Sequence, residues 1–305
     1  MDLLAALLTS TVTMAVPLLL AALGELLAER AGIINVGLEG MILTGAFAAM
    51  VTTYFSGSAP LGVLAAMVSG AALGGLFSLA VVRQNANQVV AGVALNLLAV
   101  GITGVGYRAV FGVTGTALTV GGIAPMALPV LAQLPIVGVA LFNQTAIGYV
   151  AFALVPVCAA LVSGTVPGLQ LRMAGENPHA ATAQGVEVTR VRTSALLACG
   201  ALAGLAGADL AIVYARTFVE GMSAGRGFIA LAIVIFGRWS AWGILAAALL
   251  FGLATALQFH FQALALAVPY QFFLMLPYVV TLAALAISAG TTRAPAALGQ
   301  PYLRE

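Results

Sequence analysis

Along this chain apolar residues run in stretches of roughly one bilayer thickness, closed at each end by short polar or glycine-rich pieces. A helix on a soluble core shows an apolar stripe opposite a polar face. Here the apolar residues go all the way round, and Gly and Ala are interspersed as helix packing in lipid favours. The pattern predicts spans near 11 to 28, 33 to 54, 60 to 82, 88 to 110, 145 to 164, 193 to 215, 226 to 237, 242 to 262 and 268 to 289. All but the seventh approach the length of about 20 residues that a crossing helix needs. The expected fold is an all-α polytopic membrane protein of about nine transmembrane segments, residues 1–305 forming one membrane domain.

Composition removes the soluble alternative. The chain is 62% hydrophobic and 7% charged, with a mean hydropathy of +1.12, whereas soluble domains carry roughly 25% charged residues. Met1-Asp2-Leu3 lacks a basic flank, so the first segment is expected to be a retained helix and not a cleaved signal.

Loops rich in Arg and Lys stay cytoplasmic. With the N-terminus outside, Arg30, Arg83, Arg172, Arg190, Arg192, Arg238, Arg293 and Arg304 fall inside and Arg108, Arg216 and Arg226 outside. The expected arrangement is therefore a multi-pass protein of the bacterial inner membrane with a cytoplasmic C-terminus, an external loop at 111–144 and a cytoplasmic loop at 165–192. The external loop is uncharged and carries Pro125, Pro129 and Pro135. It reads either as an apolar interfacial segment or as a docking face for an external protein.

Two spans open on glycine-rich stretches, Gly32 to Gly40 and Glu220 to Gly227. The seventh span, which follows the second of these, is too short to cross comfortably. Segments one to four and six to nine would run in opposite senses, each group with an interrupted helix second. That is the pattern of an inverted repeat, in which interrupted helices mark the substrate route.

All basic residues are Arg, and there is no Lys. A P-loop needs its Lys at the β/γ-phosphates, so no Walker-type ATP site is expected in this chain. Cys158 and Cys199 sit in apolar runs and read as inert buried thiols. His179 and His260 are too far apart to suggest a metal, and no catalytic constellation of a membrane-embedded enzyme is present. In the inner loop Asn177 suits an N-cap, Pro178 the first helical position and Gly185 the C-terminal stop. They bracket a helix of about two turns, too short to be stable without a surface to rest on. That surface is either the chain's own helix ends or a partner protein.

Ala28-Glu29-Arg30-Ala31-Gly32-Ile33-Ile34-Asn35-Val36-Gly37-Leu38-Glu39-Gly40, then Ala174 to Ala181, then Gly225 to Ala232 with Phe236-Gly237-Arg238-Trp239, together resemble the permeases of nucleoside and simple-sugar ABC importers, a superfamily that includes ribose-type and branched-chain-amino-acid-type permeases. The resemblance runs over nearly the whole chain. It implies a transport subunit that moves a nucleoside, nucleobase or simple sugar inward by alternating access and has no enzymatic activity of its own. It implies three kinds of partner: a second permease, commonly a different homologous chain; ABC ATPase subunits, which hold the ATP and Mg; and an external substrate-binding protein. Glu176, Asn177, Pro178, Ala180, Ala181 and Gly185 would form the element coupling to the ATPase.

Polar groups in apolar segments are costly and face a cavity or another helix. Asn35, Glu39 and Asn96, with Phe228 as an aromatic wall, are the candidates for the substrate path. The alternatives are that Asn35 caps the second helix, Glu39 pairs with Arg30 and Asn96 bonds across to a neighbour. Asp209 and Glu220 are expected to be solvated or paired with Arg216 and Arg226. The competing function is a secondary transporter driven by an ion gradient, which could share interrupted helices but lacks an evident relay of ionisable groups.

Overall fold

In hydrocarbon each segment must satisfy its own backbone, so long apolar runs fold as helices. The computed structural model describes residues 2–112, 118–127, 137–263 and 294–302, with scattered positions between 271 and 283. The order is α1 (Asp2–Arg30), α2 (Leu38–Ser56), α3 (Ala59–Ser78), α4 (Gln88–Phe111), α5 (Val137–Phe142), α6 (Ala146–Gly164), α7 (Val166–Glu176), α8 (Pro178–Ala183), α9 (Val188–Ala208), α10 (Arg226–Phe236) and α11 (Ala241–Ala263). A two-residue antiparallel ladder joins β1 (Met126–Ala127) to β2 (Asn143–Gln144) beside α5. The ends of α3 and α9 loosen into π-helical turns, Leu79–Arg83 and Asp209–Tyr214.

Seven helices among the described residues are long and apolar enough to cross a membrane. The predicted ninth span, 268 to 289, lies outside the described residues apart from those scattered positions. α1 starts well before the predicted residue 11. The hydroxyls of Thr9 and Thr11 bond to carbonyls four residues back, at 2.8 and 2.7 Å, so their polarity does not interrupt the helix. The inner loop also contains a helix that the sequence pattern did not signal. In α7 Pro167 occupies the first turn, and the Thr165 hydroxyl accepts from Gly168 N at 3.2 Å.

The core is built around α1, α2, α3 and α9. Leu19, Leu20, Leu23, Leu38, Met41 and Leu43 are fully buried between them. The closest helix pairing is α3 on α9, where glycines let the backbones touch. A Cβ on Gly204 would strike the Ala66 carbonyl, and one on Gly70 would strike the Gly200 carbonyl. Lipid offers no hydrophobic drive between helices, so such close approach supplies the attraction.

Two ends of the bundle can be told apart. At one end Arg192 Nη1 reaches the Gln300 carbonyl and Arg30 reaches the Trp239 carbonyl. At the other, Arg108 pairs with Glu220 at 3.0 Å on the surface, and Val120 N donates to the Arg216 carbonyl. The inner-loop helices and the 118–127 stretch therefore lie at opposite ends. Glu220, expected to be solvated or paired with Arg216 or Arg226, is half-exposed and takes Arg108 as its partner, because the end of α4 packs beside the turn that carries it. Asp209, expected to be solvated or paired, is instead 3% exposed, in the π-helical turn at the end of α9.

Candidate functional site

The glycine-rich stretches mark a non-helical entry to the second predicted span, which then runs as one unbroken helix of 19 residues, and a short helix in place of the seventh. After Arg30 the chain turns at Gly32, whose φ of 89° favours glycine. It then doubles back alongside α1. Asn35 N donates to Glu25 Oε1 at 2.9 Å, about one and a half turns above the end of α1. Only at Leu38 does α2 begin. α10 has 11 residues, about 16 Å at 1.5 Å each, or half the hydrocarbon thickness. Its C-terminal end leads to Trp239, which is held at the Arg30 end, so its N-terminal end lies well inside the bundle.

Glu39 joins the starts of these two helices. It lies in the first turn of α2, and its carboxylate accepts from Gly225 N and Gly227 N, both at 2.7 Å, at the start of α10. One negative group thus faces the unsatisfied N–H groups and positive dipole ends of two helices. Gly227 is needed for the approach, since a Cβ there would collide with the Glu39 backbone. Arg30 is engaged elsewhere: two of its guanidinium nitrogens donate to the Trp239 carbonyl.

Asn96 holds the same junction from α4. Its Oδ1 accepts from Gly40 N at 2.8 Å, and its Nδ2 donates to the Val36 carbonyl at 2.9 Å. It supplies the cap that Gly37, at the N-cap position of α2, has no side chain to provide. The Asn35 side chain is fully buried against Met41 and Cys199. Asn87 caps α4, and Gln88 Oε1 accepts from Ile34 N. Phe228 stands apart from these three, 50% exposed on the outer side of α10. The structure thus brings Asn35, Glu39 and Asn96 to one junction and leaves Phe228 outside it. Asn96→Ala leaves two backbone groups unpaired, at about 1–3 kcal/mol each. Thermal stability and transport are expected to fall together; a loss of transport with an unchanged melting temperature would contradict this capping role.

At the Arg30 end, α8 has the form that its bracketing residues suggest. Asn177 Oδ1 accepts from Ala180 N at 3.0 Å, and Pro178 takes the first position. Gly185, with φ of 82°, ends the helix. Gly185 N donates to the Thr182 carbonyl and Val186 N to the Ala181 carbonyl, at 2.9 and 3.0 Å. These are the two bonds of a Schellman stop. Ala181 is 0% exposed and packs with Ala174, Val186 and Val188, while Glu176, Asn177, Ala180 and Gly185 remain exposed.

A hub that sequence reasoning did not find lies beneath α8. Arg192 is 2% exposed, and its guanidinium donates to the carbonyls of Ala31, Gln300 and Ala174, at 3.0, 3.3 and 3.5 Å. Residues 294–302 complete the hub. Ala297 N donates to the Gly175 carbonyl, Gly299 N to the Gly32 carbonyl and Ala296 N to Glu176, while the Tyr302 hydroxyl meets that of Thr182. The only hint in the sequence was an Arg just inside an apolar helix. This strap ties α7 and α8 to the turn that leads into the Glu39 junction.

Over residues 7–285 the chain matches the family described as the branched-chain amino acid transport system permease component. The chain belongs to that family. It is similar along almost its full length to three relatives. It is 35% identical to the guanosine ABC transporter permease protein NupQ of Bacillus subtilis, over 97% of this chain and 95% of NupQ. It is 36% identical to the nucleoside ABC transporter permease protein NupC of Lactococcus lactis, over 94% and 93%. It is 37% identical to a candidate glucose ABC transporter permease, TsgC13 of Haloferax volcanii, over 99% and 98%. The same two bacteria each hold a second matching permease, NupP and NupB. No solved structure matches.

Proposed function

We propose that this chain is the membrane subunit of an ATP-driven importer for nucleosides or simple sugars. It would work beside a second, homologous permease and be moved by ABC ATPase subunits that hold the ATP and Mg, with an external binding protein delivering the solute. The observation that carries this reading is the similarity along nearly the full length to permeases named for guanosine, nucleoside and glucose transport. Support comes from α8, a short helix stopped at both ends and exposed at the Arg-rich end of the bundle. If that end faces the cytoplasm, with the N-terminus outside as the Arg bias suggests, α8 is available to an ATPase. A push there would pass through the strap and Arg192 to the turn before α2, and so to the Glu39 junction. A rigid bundle with two arrangements of that junction would supply alternating access.

The test uses this chain with its ATPase and companion permease in proteoliposomes, measuring ATP hydrolysis and uptake of labelled guanosine and glucose. Uptake is expected to track hydrolysis and to survive collapse of ion gradients. Gly185→Pro removes a donor and forbids the positive φ, and Ala181→Asp puts a charge into the contact beneath α8. Both are expected to leave the complex folded and hydrolysing ATP while uptake falls at least about tenfold, a loss of about 1.4 kcal/mol of coupling. Wild-type uptake by both variants would remove the coupling role from α8. Uptake that stops with the ion gradient and ignores ATP would replace the importer by a gradient-driven transporter.

A further inference from the structure

Asp209 is 3% exposed, yet its carboxyl group makes no hydrogen bond or ion pair among the described residues. A buried acid left without partners is costly. It is not enclosed by apolar atoms alone, because two cavities meet at it. The larger, of about 430 Å³, lies between α1, the Asp209–Tyr214 turn, α10 and α11, with Thr13, Tyr214, Arg226, Thr255, Gln258 and Phe259 on its walls. The smaller, of about 260 Å³, reaches toward the 118–127 stretch and is lined by Ile123, Gln144 and Arg216. Asp209 and Thr13 line both, and so mark the boundary between an outer chamber and an inner one.

The chemistry of the larger cavity selects its occupant. The Thr13 and Thr255 hydroxyls already donate to their own helices, to the Thr9 and Phe251 carbonyls at 2.9 Å, so toward the cavity they can only accept. Together with the unpartnered Asp209 they form an acceptor side that suits hydroxyl donors, while Tyr214, Arg226 and Gln258 bring donors to the other walls. Met14, Leu18, Ile229 and the Phe259 ring add an apolar side. A carboxylate with two free oxygens is matched by two neighbouring hydroxyls on one ring, and the ring's apolar face can lie on the aromatic wall.

We propose that this cavity is a substrate subsite within the single chain, in which Asp209 accepts hydrogen bonds from the vicinal diol of a neutral ring-bearing solute. The diol is the shared chemistry of a ribonucleoside and a hexose. The inference rests on the importer reading above and adds to it a recognition group and a location, distinct from the Glu39 junction. The passage from outer to inner chamber runs past Asp209, so the diol is tested during transit and not only by an external binding protein.

The test measures uptake by the wild-type complex and by Asp209→Asn of guanosine against 2′,3′-dideoxyguanosine, and of glucose against 2,3-dideoxyglucose. Asn keeps the size but replaces one carboxyl oxygen by an amide donor. The wild type is expected to favour the diol-bearing member of one pair by about tenfold or more, since a site built for a hydroxyl rejects the analogue lacking it. The pair that shows it identifies ribose or hexose as the source. Asp209→Asn is expected to bring that ratio down to about two while still transporting the dideoxy compound. Glu220→Gln, at the exposed pair with Arg108, should leave the ratio unchanged. A merely structural role for Asp209 would lower both rates equally and keep the ratio, which overturns the proposal, as does a wild type indifferent to the diol. Failure of the wild type to carry either compound class defeats the importer reading itself, a result distinguishable from the other two.

Discussion

Glu39→Ala is expected to abolish transport and to lower the stability of the membrane bundle by about 3 to 6 kcal/mol, since two charge-assisted hydrogen bonds of about 1.5–3 kcal/mol each disappear. The acceptor they lose lies between the starts of α2 and α10, where it serves both Gly225 N and Gly227 N. Glu39→Gln retains one carbonyl oxygen and should fall between wild type and Ala. The check is the thermal midpoint of the purified complex beside its uptake rate, both expected in the order Glu, Gln, Ala. Both properties unchanged in Glu39→Ala would mean that the junction does not hold the two helices together.

Gly204→Val should have the largest effect on the fold. The added side chain would meet the Ala66 carbonyl and the backbone near Met67 on α3, and a backbone cannot move aside as a flexible side chain can. Overpacking of a buried contact costs about 1–3 kcal/mol even where side chains absorb it. Here α3 and α9 must separate along their length. The expected outcome is loss of folded, monodisperse protein after detergent extraction. Gly101→Ala is the matched control. Nothing lies within 4 Å of a Cβ at Gly101, so that variant should extract like wild type and gain up to about 1 kcal/mol in helix propensity.

What could be read in the sequence was what neighbouring residues decide. The long apolar runs announced the crossings, and Asn177, Pro178 and Gly185 announced α8 with both its stops, because each signal lies within a few residues of the structure it sets. The glycine-rich stretches likewise marked the non-helical entry to α2 and the short α10. What escaped was what distant segments decide together. Glu39 meets Gly225 from the far half of the chain, Arg192 gathers three carbonyls from three segments, and Glu220 turns to Arg108. Each of these polar groups had several plausible partners, and only packing chooses among them. α7 escaped for another reason. At 11 residues and with mixed polarity, it has no bilayer-length run, and the only marks of its start are Thr165 and Pro167 directly after the crossing before it.

The half-length of α10 also bears on how the subunit survives. Between Tyr214 and Arg226 the backbone abandons the helix, and Ala224, the residue before the Gly225 that meets Glu39, is exposed. Bare peptide groups at such depth cannot face acyl chains. Wherever this subunit persists in a bilayer, that flank is therefore roofed by another protein or bathed by water.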